Sequence, residues 1–127
     1  MAQVISQRVA QQIVESVKDL CNHDINFIDQ KGIIFASTNT SRIGDFHEIG
    51  SQVLAMGKTI EVEDDNSFIG TNKGVNMPFV YKGEVIAVIG ISGKPNEVRR
   101  YAYLAQKITS LISVSYTHLT LPTMAVV

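Results

Sequence analysis

Two short polar segments are where this chain could do chemistry. The first, Ser41-Arg42-Ile43-Gly44-Asp45-Phe46-His47-Glu48, sets a guanidinium and an imidazole around the start of a helix. Free backbone N–H groups at a helix N-terminus favour an anion. Arginine adds two parallel donors for one carboxylate. The second segment, Asn72-Lys73-Gly74-Val75-Asn76-Met77-Pro78, brings another cation, a glycine that permits close backbone approach, and an amide that both donates and accepts. Each segment alone has a plainer reading: Arg42 pairs with Asp45 while His47 faces water, and Lys73 is a solvated residue at a strand entry. Together they offer separated cationic groups with neutral donors between them. Such a pocket suits a small molecule with a carboxylate at each end and hydroxyls in the middle.

Catalytic patterns are missing from the sequence. There is no Gly-x-Ser-x-Gly, no phosphate loop ending in Lys-Ser/Thr and no metal-spaced histidine pair. Gly70-Thr-Asn-Lys-Gly74 resembles a phosphate loop only loosely, because no helix follows it. His47 and Glu48 are neighbours in sequence, and adjacent helical residues point in different directions. Cys21 is the single cysteine, so no internal disulfide forms, and with His23 it supplies two metal ligands where a site needs more. The expectation is a binding domain and not an enzyme, with neither metal nor cofactor.

The elements that must position these segments follow from hydrophobic period. Val4 or Ile5, Val9, Ile13, Val17 and Leu20 form the stripe of an amphipathic helix. Ile25–Asp29 and Ile33–Ser37 read as strands around a tight turn at Gln30-Lys31-Gly32. Asp45 as N-cap, with Glu48 three residues later, predicts a second helix carrying Ile49, Val53, Leu54 and Met56 and ending at Gly57. Thr59–Val62 is a short strand, and Glu63, Asp64 and Asp65 begin a solvated loop. Val75–Tyr81 and Glu84–Ser92 form a second hairpin around Lys82-Gly83. Val85–Ile91 is apolar on both faces, as a central strand covered on each side should be. Pro78 inside a strand requires an edge or a bulge. A last helix spans Asn96–Ser113. Strands joined mostly by short turns predict an α+β fold, a single antiparallel sheet with helices packed around it, in the manner of a PAS-like sensor.

The chain has 127 residues, 45% of them hydrophobic, enough for one globular core. Eleven basic and twelve acidic side chains give a net charge of −1, without the basic footprint of duplex binding. No apolar stretch has signal-peptide or membrane-span length, so a cytoplasmic location with no membrane partner is expected. Val114–Thr123 reads as the translation of a transposon-based sequencing adaptor. Residues 1–113 are therefore expected to be the natural ligand-sensing domain, and residues 114–127 an adaptor artefact.

From Val9 to Ile112 the chain resembles the sugar-diacid-recognition domain of the carbohydrate diacid regulator family. The match is carried by Gln12-Ile13-Val14, Arg42-Ile43-Gly44 with His47-Glu48, Gly74–Pro78, and Gly83–Ile86 running on through Val88–Gly93. Pro95–Arg99 followed by Tyr101 extends it. Ile49-Gly50, Met77 and Phe79 depart from the family pattern, and Phe79 bears on the shape of a pocket. The resemblance implies a cytoplasmic transcriptional regulator that senses a sugar diacid or related hydroxy acid such as glucarate, galactarate or glycerate. It also implies a homodimer and a C-terminal helix-turn-helix domain, not contained in this chain, as the only route to DNA. Arg42, Gly44, His47, Lys73, Gly74, Asn76 and Ser92 become the expected ligand-binding residues, with the N-terminus of the second helix beside them. The competing expectation is a ligand-free PAS-like module for dimerisation or protein contact.

Overall fold

The computed structural model describes residues 5–118, with side chains over 5–112. Helix α1 (Gln7–Cys21) starts at Ser6, whose side chain accepts from the Val9 N–H, and ends at Asn22 in the left-handed conformation. Strands β1 (Ile25–Ile28) and β2 (Ile34–Ser37) follow, then a 3-10 turn (Thr40–Arg42) and helix α2 (Glu48–Met56). Next come β3 (Ile60–Val62), β4 (Gly74–Tyr81), β5 (Glu84–Ser92) and helix α3 (Pro95–His118). No helix among the described residues is long and apolar enough to cross a membrane.

The five strands form one sheet in the order β2-β1-β5-β4-β3, and every pairing is antiparallel. The apolar run Val85–Ile91 lies in β5, the central strand, as its two-sided hydrophobicity requires. Positive φ at Gly32, Lys82 and Gly83 matches the two expected tight turns. Pro78 sits where β3 no longer covers β4, because β3 pairs only with Gly74 to Asn76. The open edge needs no N–H there, and the Pro78 carbonyl accepts from Gln106 Nε2 of α3 at 2.8 Å.

Side chains alternate across a strand, so the sheet has two unlike faces. On one, Ile25, Phe27, Val75, Met77, Phe79, Ile89 and Ile91 pack under α1 and α3. On the other, Ile28, Ile34, Val62 and Val88 pack with Ile49 and Val53 of α2 in a smaller cluster. Arg99 of α3 reaches Glu61 of β3 at 2.7 Å and ties the helix to the edge strand.

Several element ends differ from expectation for identifiable reasons. Leu20 stays 68% exposed, because α1 buries Ala10, Ile13, Val14 and Val17 instead. Met56 is exposed near the end of α2, where Gly57 turns the chain away. The N-cap of α2 is His47 and not Asp45, which makes Glu48 the first helical residue. Ile33 pairs with Phe46 as an isolated bridge, which holds the chain extended up to that cap. Helix α3 runs past the expected end at Ser113 to His118, and residues 119–127 of the expected adaptor tail lie outside the described residues.

Candidate ligand-binding site

The register of the five strands lines up one cross-strand row. Ser37 faces Asn26, Asn26 faces Gly90, Gly90 faces Asn76, and Asn76 faces Ile60. Residues directly opposite one another project to the same side, so this row lies on the α2 face beside the Ile28, Ile34 and Val88 cluster. Asn26, Ser37 and Asn76 are each at most 3% exposed. Polar groups so buried require partners or a purpose.

Arg42 comes to this row from the 3-10 turn. Its guanidinium donates to the Gly70 carbonyl, and Nη1 lies 3.1 Å from the Asn26 amide oxygen. In that orientation the Asn26 amide nitrogen donates to Ser37 Oγ at 2.6 Å, which gives both ends of the amide a complementary partner. Ser37 in turn is clamped by Gln11 of α1, whose amide donates to its carbonyl at 2.7 Å and accepts from its N–H at 3.0 Å. Asp45 and Asp24 favour the charge on Arg42 from a distance, while burial, the larger influence, lowers its pKa. Among the described residues no carboxylate stands within ion-pair distance of it. The pairing of Arg42 with Asp45 is therefore absent. A guanidinium holds its charge at any ordinary pH, so Arg42 is a half-buried cation lacking an anionic partner.

His47 does not face water; it is 3% exposed. Its Nδ1 accepts from the Gly50 N–H at 2.8 Å, and the Thr71 hydroxyl lies 3.3 Å from the same nitrogen. Burial first, and the charge of Arg42 second, push its pKa down from 6.5 to about 4. The imidazole is then neutral at pH 7, with Nδ1 as acceptor and the proton on Nε2.

The N-terminus of α2 is already occupied by the protein's own groups. The Glu48 N–H donates to the Ile69 carbonyl at 2.9 Å, Ile49 to Thr71 Oγ1 at 3.2 Å, and Gly50 to His47. The expected anion cradle at this helix end is thus filled from within. Glu48 also accepts from the Ile69 N–H at 2.7 Å, so Glu48, Arg42 and Thr71 together strap the 68–71 segment across the site.

The other expected residues distribute unequally. Asn76 is in the row, and its Nδ2 donates to the Ile60 carbonyl at 3.3 Å. Gly74 and Ser92 face each other one step along the same side of the sheet. A Cβ on Gly74 would run into the Ile91 carbonyl, so the glycine serves the packing of β4 on β5. Gly44 is exposed in the turn, with φ +99° and an N–H that bonds the Ile34 carbonyl at 2.8 Å; its part is to shape the chain between Arg42 and His47. Lys73 is joined to its surroundings through its backbone, with its N–H on Asp65 at 2.9 Å and its carbonyl accepting from Gly93 at 3.0 Å. No contact among the described residues brings its ammonium to Arg42 or His47. Sequence reasoning missed Asn26, Ser37, Thr71 and Gly90. A glycine inside a strand is a known sign of close approach, and Gly90 alone carried such a signal.

The chain matches, over residues 5–120, the family described as "putative sugar diacid recognition". The chain belongs to that family. It is 32% identical over 102 residues to the carbohydrate diacid regulator of Escherichia coli, covering 79% of this chain and 26% of that protein. It spans under a third of the length of the curated relatives it matches. Among solved structures it resembles the GAF domain of an Acinetobacter phosphoenolpyruvate-protein phosphotransferase, with a TM-score of 0.64, 13% identity, and coverage of 94% of this chain and 86% of that one. It also resembles a free methionine-R-sulfoxide reductase from Thermoplasma acidophilum, with a TM-score of 0.60, 17% identity, and coverage of 84% and 92%. GAF domains are PAS-like sensor folds, and the sugar-diacid-recognition family shares that architecture here. At these identities the likeness is one of fold, and a fold does not carry a function with it.

Proposed function

We propose that this chain is the small-molecule sensor domain of a bacterial transcriptional regulator that binds a sugar diacid or related hydroxy acid on the α2 face. The observation that carries the reading is Arg42, a half-buried guanidinium without a carboxylate partner. It stands beside a neutral buried imidazole and a row of buried amides. A ligand carboxylate would supply the missing charge, in competition with the Gly70 carbonyl. Family membership and the E. coli relative, a carbohydrate diacid regulator, supply the ligand class.

Arg42 takes one carboxylate with His47 Nε2–H as a neutral donor. Asn76, Ser92 and the backbone near Gly74 take the rest of the molecule, with Lys73 as the second cation. His47 is committed through Nδ1 to capping α2, which suits a binding role better than general-base work. Signal leaves through α3 toward a helix-turn-helix domain beyond this chain, in a cytoplasmic homodimer.

Thermal unfolding with glucarate, galactarate, glycerate and a hydroxyl-free dicarboxylate tests the reading. A ligand at a hundred times its dissociation constant stabilises by about 2.7 kcal/mol, a rise on the order of 10 °C for a domain of this size. No shift with any of them favours the second reading, a ligand-free PAS-like contact module. Its support is the groove of about 460 Å³ between α1 and α3, floored by Val9, Ile13, Ile108 and Ile112.

A further inference from the structure

Asn76 is 3% exposed, and among the described residues only half of its amide is used. Nδ2 donates to the Ile60 carbonyl, while no donor reaches Oδ1. A buried acceptor without a donor costs about 1–3 kcal/mol, and β4 bears that cost at the centre of the polar row. The neighbour directly opposite is Gly90, and a Cβ there would stand 2.8 Å from Asn76 Oδ1. The missing side chain at Gly90 is therefore what lets the amide extend over β5. The next atom such a Cβ would meet is Ile28 Cδ1 at 3.7 Å, and Ile28 also packs 3.1 Å from where a Gly50 Cβ would stand, as does His47 Nδ1. The unpartnered oxygen and the neutral imidazole thus border the same isoleucine.

We propose that Asn76 Oδ1, held over Gly90, is the acceptor that selects a hydroxyl-bearing ligand over a hydroxyl-free one of the same length. The inference rests on the diacid-sensor reading and deepens it. Carboxylate oxygens only accept hydrogen bonds, so Arg42 and His47 read the acid ends. An amide oxygen instead requires a donor, and between two ionised carboxylates the only donors a sugar diacid carries are its hydroxyls. Selectivity for the hydroxy acid then sits at Asn76 and Gly90, and affinity for the acid sits at Arg42.

Calorimetric titration of the full chain with glucarate and with adipate, the same carbon chain without hydroxyls, separates the two. Wild type binds glucarate more tightly, by about tenfold for one neutral hydrogen bond. Asn76→Ala removes the acceptor. Gly90→Ala displaces it by crowding only the end of a side chain, so that variant keeps the fold even if Asn76→Ala does not. In both, the glucarate-to-adipate ratio falls toward one while adipate affinity stays near its wild-type value. A ratio unchanged in the folded variants, or equal wild-type affinities for the two acids, overturns the inference and leaves a diacid sensor standing. Wild type that binds neither acid overturns the reading beneath it as well.

Discussion

The two faces of the sheet use the same strands for opposite ends. Under α1 and α3, buried strand residues are apolar, and Phe27, Ile89 and Val75 are fully enclosed. Under α2, the same strands alternate to present Asn26, Ser37, Asn76 and a bare Gly90 next to Ile28 and Val88. The first face is organised to lose water, at about 25 cal/mol per Å² of apolar surface. The second keeps donors and acceptors in low dielectric, where an unmet group is costly and a met one is strong. Stability and recognition are thereby separated by the pleat of β1, β4 and β5.

The separation breaks most visibly at Phe27. Phe27→Ala removes a ring with 0% exposure and should cost about 3–5 kcal/mol in urea unfolding. A loss below about 1 kcal/mol would mean that the helical face is not what holds the domain together. His47 provides the next largest effect. Its pKa in the folded protein, about 4, lies below the ordinary 6.5, so the unfolded chain takes up the proton first. Stability from the neutral imidazole is complete above about pH 6.5 and is lost as pH falls from there toward about 4, by up to roughly 3 kcal/mol. The ion-paired carboxylates of Asp24 and Glu61, with lowered pKa values, contribute only further down, below the ordinary carboxylate range. His47→Asn keeps an N-cap side chain and should abolish the slope between pH 6.5 and 4 in denaturation midpoints. A persistent slope would assign it to another group.

Smaller effects sharpen the contrast. Thr71→Val leaves the Ile49 N–H without its acceptor and should cost on the order of 1 kcal/mol, measured against wild type by the same unfolding curves. Leu20→Ser, at a residue 68% exposed on α1, should change stability by no more than about 0.5 kcal/mol. A large loss there would show that the exposed side of α1 is covered in solution.

The architecture was legible because its signals are local. Lys31-Gly32 and Lys82-Gly83 fixed two hairpins, the run Val85–Ile91 fixed the central strand, and Gly57 fixed the end of α2. The start of α2 was misread because Asp45 and Glu48 imitate a capping box, whereas the bridge from Ile33 to Phe46 extends the chain until His47 becomes the cap. Arg42 was legible as a cation seeking an acid, since few other uses exist for an arginine beside a short turn and a helix start. Asn26 was not. A lone asparagine in Ile-Asn-Phe-Ile reads as one polar position of an alternating strand, and only the pairing of β1 with β5 and of β5 with β4 sets it in line with Gly90 and Asn76. Non-local register, which no spacing in the sequence encodes, made the row invisible.

Glucarate binding to wild type and to Arg42→Ala, followed by calorimetry with melting curves as a fold control, addresses the α2 face as a ligand site most directly. Removing a buried charge-assisted contact should weaken affinity by about 2–5 kcal/mol, with unfolding of the free variant close to wild type. Equal affinity in a folded Arg42→Ala protein would contradict a site built around that guanidinium.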